Sequence, residues 1–134
     1  MLQLYSGDLL AIEAWELLKS DNNSYLVDVR TSSEWKHIGV PKLETLKKKL
    51  IMLEWMFLPD MKRNENFKTA LSDILTDKSS TLLFLCKSGG RSQQAAIEMT
   101  AQGYKNCYNI SDGFEGSLNN NATGWKASLP WEQL

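Results

Sequence analysis

The stretch Thr81-Leu82-Leu83-Phe84-Leu85-Cys86-Lys87-Ser88-Gly89-Gly90-Arg91-Ser92-Gln93-Gln94-Ala95-Ala96 decides how this chain is read. Its first five residues form a continuous apolar run of the kind found in strands buried on both faces. That run delivers a single cysteine to a tight loop containing two glycines. An Ala-rich helical segment follows, Gln93 to Gln102, stopped by Gly103. Backbone N–H groups in such a loop can converge into an anion-binding concavity. The start of the helix adds unpaired donors and a partial positive charge, and Lys87 and Arg91 add cations. Each of these favours the thiolate, the reactive form of cysteine. Cys86 therefore has the setting of a nucleophile. The competing reading, a buried structural cysteine, accounts for the strand but not for the loop and helix start.

Outward from this stretch, strand and helix signals alternate. Residues 9–19 are apolar at helical spacing (Leu10, Ala14, Leu17, Leu18), with Asp8 as the expected N-cap. Tyr25 to Val29 reads as a buried strand. Arg30-Thr31-Ser32-Ser33-Glu34 follows, where a Ser or Thr could cap a short helix through Trp35 and Lys36. Leu50 to Leu58 is expected to be one strand stopping at Pro59. Asn64 to Leu75 is expected to be a helix with Phe67, Leu71, Ile74 and Leu75 on one face. Asn106 to Ile110 is a last strand, and the remainder, from Asp112, is expected to be irregular. Alternating strands and helices imply an α/β layer fold with a mainly parallel sheet. Ligands in such sheets bind outside the carboxyl ends of the strands, which points to residues 28–35 and 86–92.

Composition narrows the function classes. The chain has 134 residues, 43% hydrophobic and 23% charged, ordinary for one globular domain. Fifteen Lys and Arg against sixteen Asp and Glu leave a net charge of −1. No global positive field is present to collect nucleic acid or anionic lipid. Two cysteines are too few for a disulfide framework. With His37 as the only histidine, they also fall short of the four Cys/His ligands of a structural zinc site, so neither a metal nor an organic cofactor is expected. The amino terminus lacks the basic and small-residue features of a signal peptide. No apolar run nears the about 20 residues of a membrane helix. The expectation is a soluble, cytoplasmic protein with no membrane partner. Lys47-Lys48-Lys49 reads as a solvated helix face.

Arg91 lies five positions after Cys86, a C-x4-R spacing. That loop is one residue shorter than the C-x5-R cradle with which cysteine phosphatases wrap a phosphate, and better suits a single sulfur atom. Here the chain resembles the rhodanese family of sulfurtransferases. Cys86 to Ser92 is similar to the family's active loop, C-[RK]-S-G-x-R-S. Asp28-Val29-Arg30 followed by Glu34-Trp35 resembles its D-x-R…E-[YFW] signature, and Gly113-Phe114-Glu115-Gly116 its turn after the last strand. The matches keep the family's order over about residues 8–116. Gly124-Trp125 and Leu129-Pro130-Trp131 resemble the tail of some single-domain bacterial members. The segment Glu34 to Pro41 departs from the family's usual E-x-x-x-G-H-I-x-G-A.

The resemblance implies a three-layer α/β/α domain covering residues 1–134, with a mainly parallel sheet of about five strands. Residues 117–134 would be an irregular tail packed on it. It also implies sulfur transfer through a Cys86 persulfide. The donor would be a small anion such as thiosulfate, or a persulfide, and the acceptor a thiol or a protein. The loop Lys87, Ser88, Gly89, Gly90, Arg91 and Ser92 would hold the persulfide through its N–H groups, with Gly89 and Gly90 permitting the backbone angles. Lys87 would attract an anionic donor, or be merely solvated. Arg91 would brace the loop by pairing with Asp28 or Glu34; Asp28, Arg30 and Glu34 are supporting residues, although Asp28 and Arg30 could simply cap loops. Cys107 reads as core packing, His37 as structural or exposed, and Trp125 and Trp131 as docking the tail. Two alternatives stand beside sulfur transfer: a phosphatase or arsenate reductase, which the loop length argues against, and a non-catalytic binding module, which the intact Cys86, glycines and Arg91 argue against.

Overall fold

The computed structural model describes residues 3–117 and 123–134. Its centre is a five-stranded sheet in the order β1-β8-β7-β2-β4, with every neighbouring pair parallel. The strands are β1 (Gly7–Leu9), β2 (Ser24–Asp28), β4 (Ile51–Met52), β7 (Thr81–Leu85) and β8 (Asn106–Ile110). All five residues of β7 are buried, because the sheet is covered on both sides. Leu82, Phe84 and Cys86 face one layer, with Phe67 and Leu71 of α3 (Phe67–Ile74), Leu75 just after it, and Ala95, Ala96 and Met99 of α4 (Gly90–Ala101). Leu83 and Leu85 face the other. There they meet Ala11, Ala14 and Leu18 of α1 (Ala11–Ser20), and Trp125 of α5 (Trp125–Ser128). Alternation along one strand thus supplies both cores of a three-layer α/β/α fold. Each fully buried leucine contributes about 2 kcal/mol relative to exposure.

Several elements differ from the sequence expectation, each for a local reason. Asp8 is not the N-cap of α1. Residues 7–9 pair with Tyr108, Asn109 and Ile110 as an edge strand, and the helix begins at Ala11. Its first N–H groups are satisfied by Glu13 Oε1, 2.8 Å from Leu10 N, and by the distant Asp112 Oδ1, 2.8 Å from Ala11 N. The other oxygen of Asp112 accepts the N–H of Gly124 at 3.1 Å. One carboxylate therefore ties α1 to the carboxyl-terminal segment.

Leu50 to Leu58 is not one strand. Only Ile51–Met52 joins the sheet, after which Met56–Phe57 (β5) forms an antiparallel ladder with Lys62–Arg63 (β6). The turning point is Trp55, 1% exposed. Its ring packs edge-on against Phe67 at 4.9 Å, under the Arg63 guanidinium at 3.8 Å. The helix expected from Asn64 begins at Phe67, since the Asn64 side chain is used to bridge the loop, donating to Glu54 O at 2.8 Å and accepting from Asn66 N at 3.1 Å. Its apolar stripe runs Phe67, Leu71, Leu75 and leaves Ile74 54% exposed. Helix α4 starts three residues earlier than expected, which puts Arg91 and Ser92 in its first turn.

The expectation of an irregular tail is corrected where the tail is described; residues 118–122 lie outside the described residues. Trp131–Glu132 (β9) pairs antiparallel with Val40–Pro41 (β3). Trp125 is fully buried, edge-on to Trp15 at 5.8 Å, its indole N–H donating to Pro130 O at 2.8 Å. Trp131 remains 37% exposed.

Replacing Asp112 with Ala leaves two N–H groups without their acceptor. Asp112→Ala is expected to lower unfolding free energy by about 2 kcal/mol, read as a fall in urea midpoint at unchanged m-value.

Candidate active site

Strand β7 ends at Leu85, and Cys86 follows still facing α4, 1% exposed. The loop after it is held from beneath by the turn after β8. Phe114 N–H donates to Cys86 O at 2.8 Å, and Glu115 N–H to Lys87 O at 3.0 Å. This approach is close. Gly113 has φ +63°, and a Cβ there would lie 2.2 Å from Lys87 O. Gly89, at φ +104°, has the same need: a Cβ would meet Ser111 O at 2.6 Å. Gly90 does not share it. Its φ is not positive and open space surrounds it, so of the two loop glycines only Gly89 is required by the backbone.

The Cys86 sulfur accepts the N–H of Gly89 at 3.2 Å and lies 3.1 Å from Ser92 Oγ. Ser92 is fully buried, and its hydroxyl donates to Asn109 Oδ1 at 2.6 Å. Lys87 and Ser88 are exposed on the loop. A cleft of about 310 Å³ opens beside it, walled by Lys87, Arg91, Glu34 and Thr31 on the polar side and by Leu58 and Met61 of the β5–β6 hairpin on the apolar side.

Two arginine–carboxylate pairs flank the loop. Arg91 grips Glu34 with both Nη atoms, at 2.7 and 3.0 Å. The Glu34 carboxylate also completes a capping box at the start of α2 (Ser32–Ile38), accepting Thr31 N–H at 3.1 Å and Thr31 Oγ1–H at 3.0 Å. Burial pushes the Glu34 carboxyl up. Arg91 and the Thr31 donors outweigh it, and the pKa falls from 4.5 to about 2. The same pairing, against an opposing desolvation, raises the Arg91 pKa. Asp28 is not a partner of Arg91. It is taken by Arg30, with Nε–Oδ1 at 3.0 Å and Nη2–Oδ2 at 2.8 Å, both side chains fully buried. Arg30 Nη2 also donates to Gly39 O at 2.9 Å, and its guanidinium lies 4.1 Å over the Phe114 ring.

The remaining candidates lie apart from this cluster. His37 is exposed, its Nδ1 2.9 Å from Ser33 O on its own helix. Cys107 is fully buried, and burial pushes its thiol up to about 11, the behaviour of an inert core thiol. Sequence reasoning did not find Asn109. The available signal was a polar residue on a buried strand, on the same face as Cys107 two positions earlier. Among the described residues, no group of three or more His, Cys, Asp or Glu could hold a metal, and no helix is long and apolar enough to cross a membrane.

The family model described as the STR4 middle domain matches residues 7–134. A Rickettsia conorii protein of uncharacterized function is 45% identical over 127 residues, spanning 93% of this chain and 96% of the relative. The chloroplastic rhodanese-like domain-containing protein 4 of Arabidopsis thaliana is 30% identical over 123 residues, 90% of this chain but 24% of that longer protein. Among solved structures, Rv0390 from M. tuberculosis superposes with a TM-score of 0.86 at 40% identity, covering 97% of this chain and 99% of that one.

Because the Glu34 carboxyl is depressed when folded, its stabilising contribution is complete above its ordinary pKa of 4.5. It is lost as pH falls toward about 2. Wild type should therefore lose roughly 2 kcal/mol more stability than Glu34→Gln between pH 6 and pH 2, allowing for partial solvent screening. Urea titrations of both proteins at the two pH values check this.

Proposed function

Since the chain belongs to the rhodanese-like STR4 middle domain family, we propose that it is a single-domain sulfurtransferase working through a persulfide on Cys86. The observation that carries this reading is the environment of the Cys86 sulfur. It sits at the end of a buried strand, receives the Gly89 N–H at 3.2 Å, and stands before the first turn of a twelve-residue helix. The N–H groups of that turn have no intrahelical acceptor and carry the partial positive charge of a helix start. They, with Lys87 and Arg91, suit a negatively charged sulfur.

In the first half-reaction the Cys86 thiolate attacks the outer sulfur of thiosulfate or of a persulfide donor. A new S–S bond forms on Cys86. The donor's own S–S bond breaks, and sulfite, or the donor thiolate, leaves with the bonding electron pair. In the second half-reaction an acceptor thiolate attacks the outer sulfur. Its S–S bond forms, the Cys86 bond breaks, and the Cys86 thiolate is regenerated. No net oxidation occurs and no cofactor enters. The loop Lys87 to Ser92 holds the transferred sulfur, Lys87 meets the anionic donor at the cleft, and the Glu34–Arg91 and Asp28–Arg30 pairs keep the loop in place. Because Cys86 itself is buried, the added sulfur is the atom that reaches the acceptor. Cys86 and Cys107 are both free thiols, which suits a reducing compartment such as the cytoplasm.

Incubation with thiosulfate should add one sulfur atom to the wild-type mass, reversibly with a thiol reductant. Cys86→Ala should gain none, and its transfer of sulfur to cyanide or a thiol should fall below detection while its fold persists. Cys107→Ser should keep wild-type activity within about threefold, since this thiol touches no reacting atom. Gain of sulfur by Cys86→Ala would overturn the assignment.

A further inference from the structure

A chain of hydrogen bonds leads from Cys86 through the sheet to the surface, and donor–acceptor accounting fixes its direction. The Asp8 carboxylate can only accept. The Asn109 atom 3.0 Å from Asp8 Oδ1 is therefore the amide nitrogen, and the amide oxygen faces Ser92. An amide oxygen also only accepts, so the single Ser92 hydroxyl proton lies on the 2.6 Å bond to Asn109. Toward the Cys86 sulfur, 3.1 Å away, Ser92 presents only lone pairs. The thiol can donate into them. A thiolate would face them without a proton between.

We propose that Asn109, pinned by Asp8, keeps the Ser92 hydroxyl turned away from Cys86 and thereby withholds a hydrogen-bond donor from its thiolate. Asn109 is a positioning residue acting through Ser92. For Ser92 to donate to a thiolate, its hydroxyl must swing off Asn109, a buried residue, leaving the amide oxygen without that donor. The amide cannot turn to compensate. Its nitrogen is held by Asp8, which also accepts the Tyr5 hydroxyl at 2.9 Å, and Tyr5 in turn accepts Gln93 Nε2–H at 2.9 Å. The network opposes the groups that favour the thiolate: the Gly89 N–H, exposed Lys87, Arg91 with its partner Glu34, and Arg30 with its partner Asp28. Asp8 on β1, and Asp112 and Glu115 after β8, are the acidic groups on the neighbouring strands and the turn that supports the loop. The result is a nucleophile at the central strand whose readiness is tuned from the β1 edge of the sheet.

This inference rests on the thiolate being the reacting form, but its test needs no sulfur transfer. The full chain is titrated by ultraviolet thiolate absorbance, with Cys86→Ala as the blank. Cys107, up at about 11, stays silent below that range. Asn109→Leu removes the acceptor and frees the Ser92 hydroxyl for the sulfur. It should raise the thiolate population about tenfold at pH values below the wild-type midpoint. Asn109→Asp keeps the acceptor, adds a charge and should shift the midpoint the other way, whereas general loosening would move both variants alike. In a Ser92→Ala background Asn109→Leu should have no effect, because the coupling runs through that hydroxyl. An unchanged midpoint in Asn109→Leu, or a shift that survives in the Ser92→Ala background, would overturn the proposal. Should Asn109→Leu fail to fold, Asp8→Ala at the exposed end unpins the amide and should shift the midpoint in the same direction, again only when Ser92 is present. No shift there would equally sink it. A shifted midpoint without persulfide formation would instead refute the sulfurtransferase reading alone.

Discussion

Strands β2 and β7 run side by side for five residues, from Ser24 against Thr81 to Asp28 against Leu85. Both are buried on two faces, so the register cannot slip without exposing one core and burying polar groups in the other. That register brings the two strand ends out level. Asp28 and Arg30 therefore emerge beside Cys86, and the turn after β2 leads into α2 just as the turn after β7 leads into α4. Two helix starts are thus set next to one another at the carboxyl edge of the sheet. Glu34 belongs to one and Arg91 to the other, and their bidentate contact closes the gap. The site is a consequence of strand pairing first and of side-chain chemistry second.

The charged groups around the loop make sense as positioning rather than as a source of bulk stability. A fully buried pair such as Asp28–Arg30 gains little net free energy, because desolvating both ions offsets much of their attraction. Its value lies in geometry. The planar guanidinium is held by Asp28, by the Gly39 carbonyl and by the Phe114 face. It joins the end of β2, the end of α2 and the turn that supports the Cys86 carbonyl. Glu34 and Arg91 do the same at partial exposure. With Arg30 and Arg91 already matched to carboxylates, little of their positive charge is left unpaired at the loop, and Lys87 stands exposed beside it.

Much of this was legible in the sequence wherever residues act locally. The apolar run Thr81 to Leu85, the glycines before α4 and the Thr31–Glu34 capping pattern each announce their structure within a few positions. The centre of the sheet and the cysteine's place at its edge follow from them. What escaped depends on distant partners. Asp8 looks like a helix cap until its pairing with Asn109 is known, and the true cap, Asp112, is about a hundred positions away. The run Leu50 to Leu58 reads as one strand because periodicity does not reveal that Trp55 will be swallowed beside Phe67. In the tail, β9 has only two residues and exists because Val40–Pro41 offers it an edge. Gly89 and Gly90 are identical letters, yet only one faces a backbone oxygen.

Gly113 carries an implication for divergence within the family. Beneath Lys87 there is less room than a methyl group requires, so the shape of the loop above is decided partly from below. A relation of this chain bearing any side chain at that position would have to lift its loop or surrender the contacts from Phe114 and Glu115, even with every residue of the Cys86 segment intact. Such a paralogue would keep the Cys86 segment in its sequence without the loop shape that Gly113 permits.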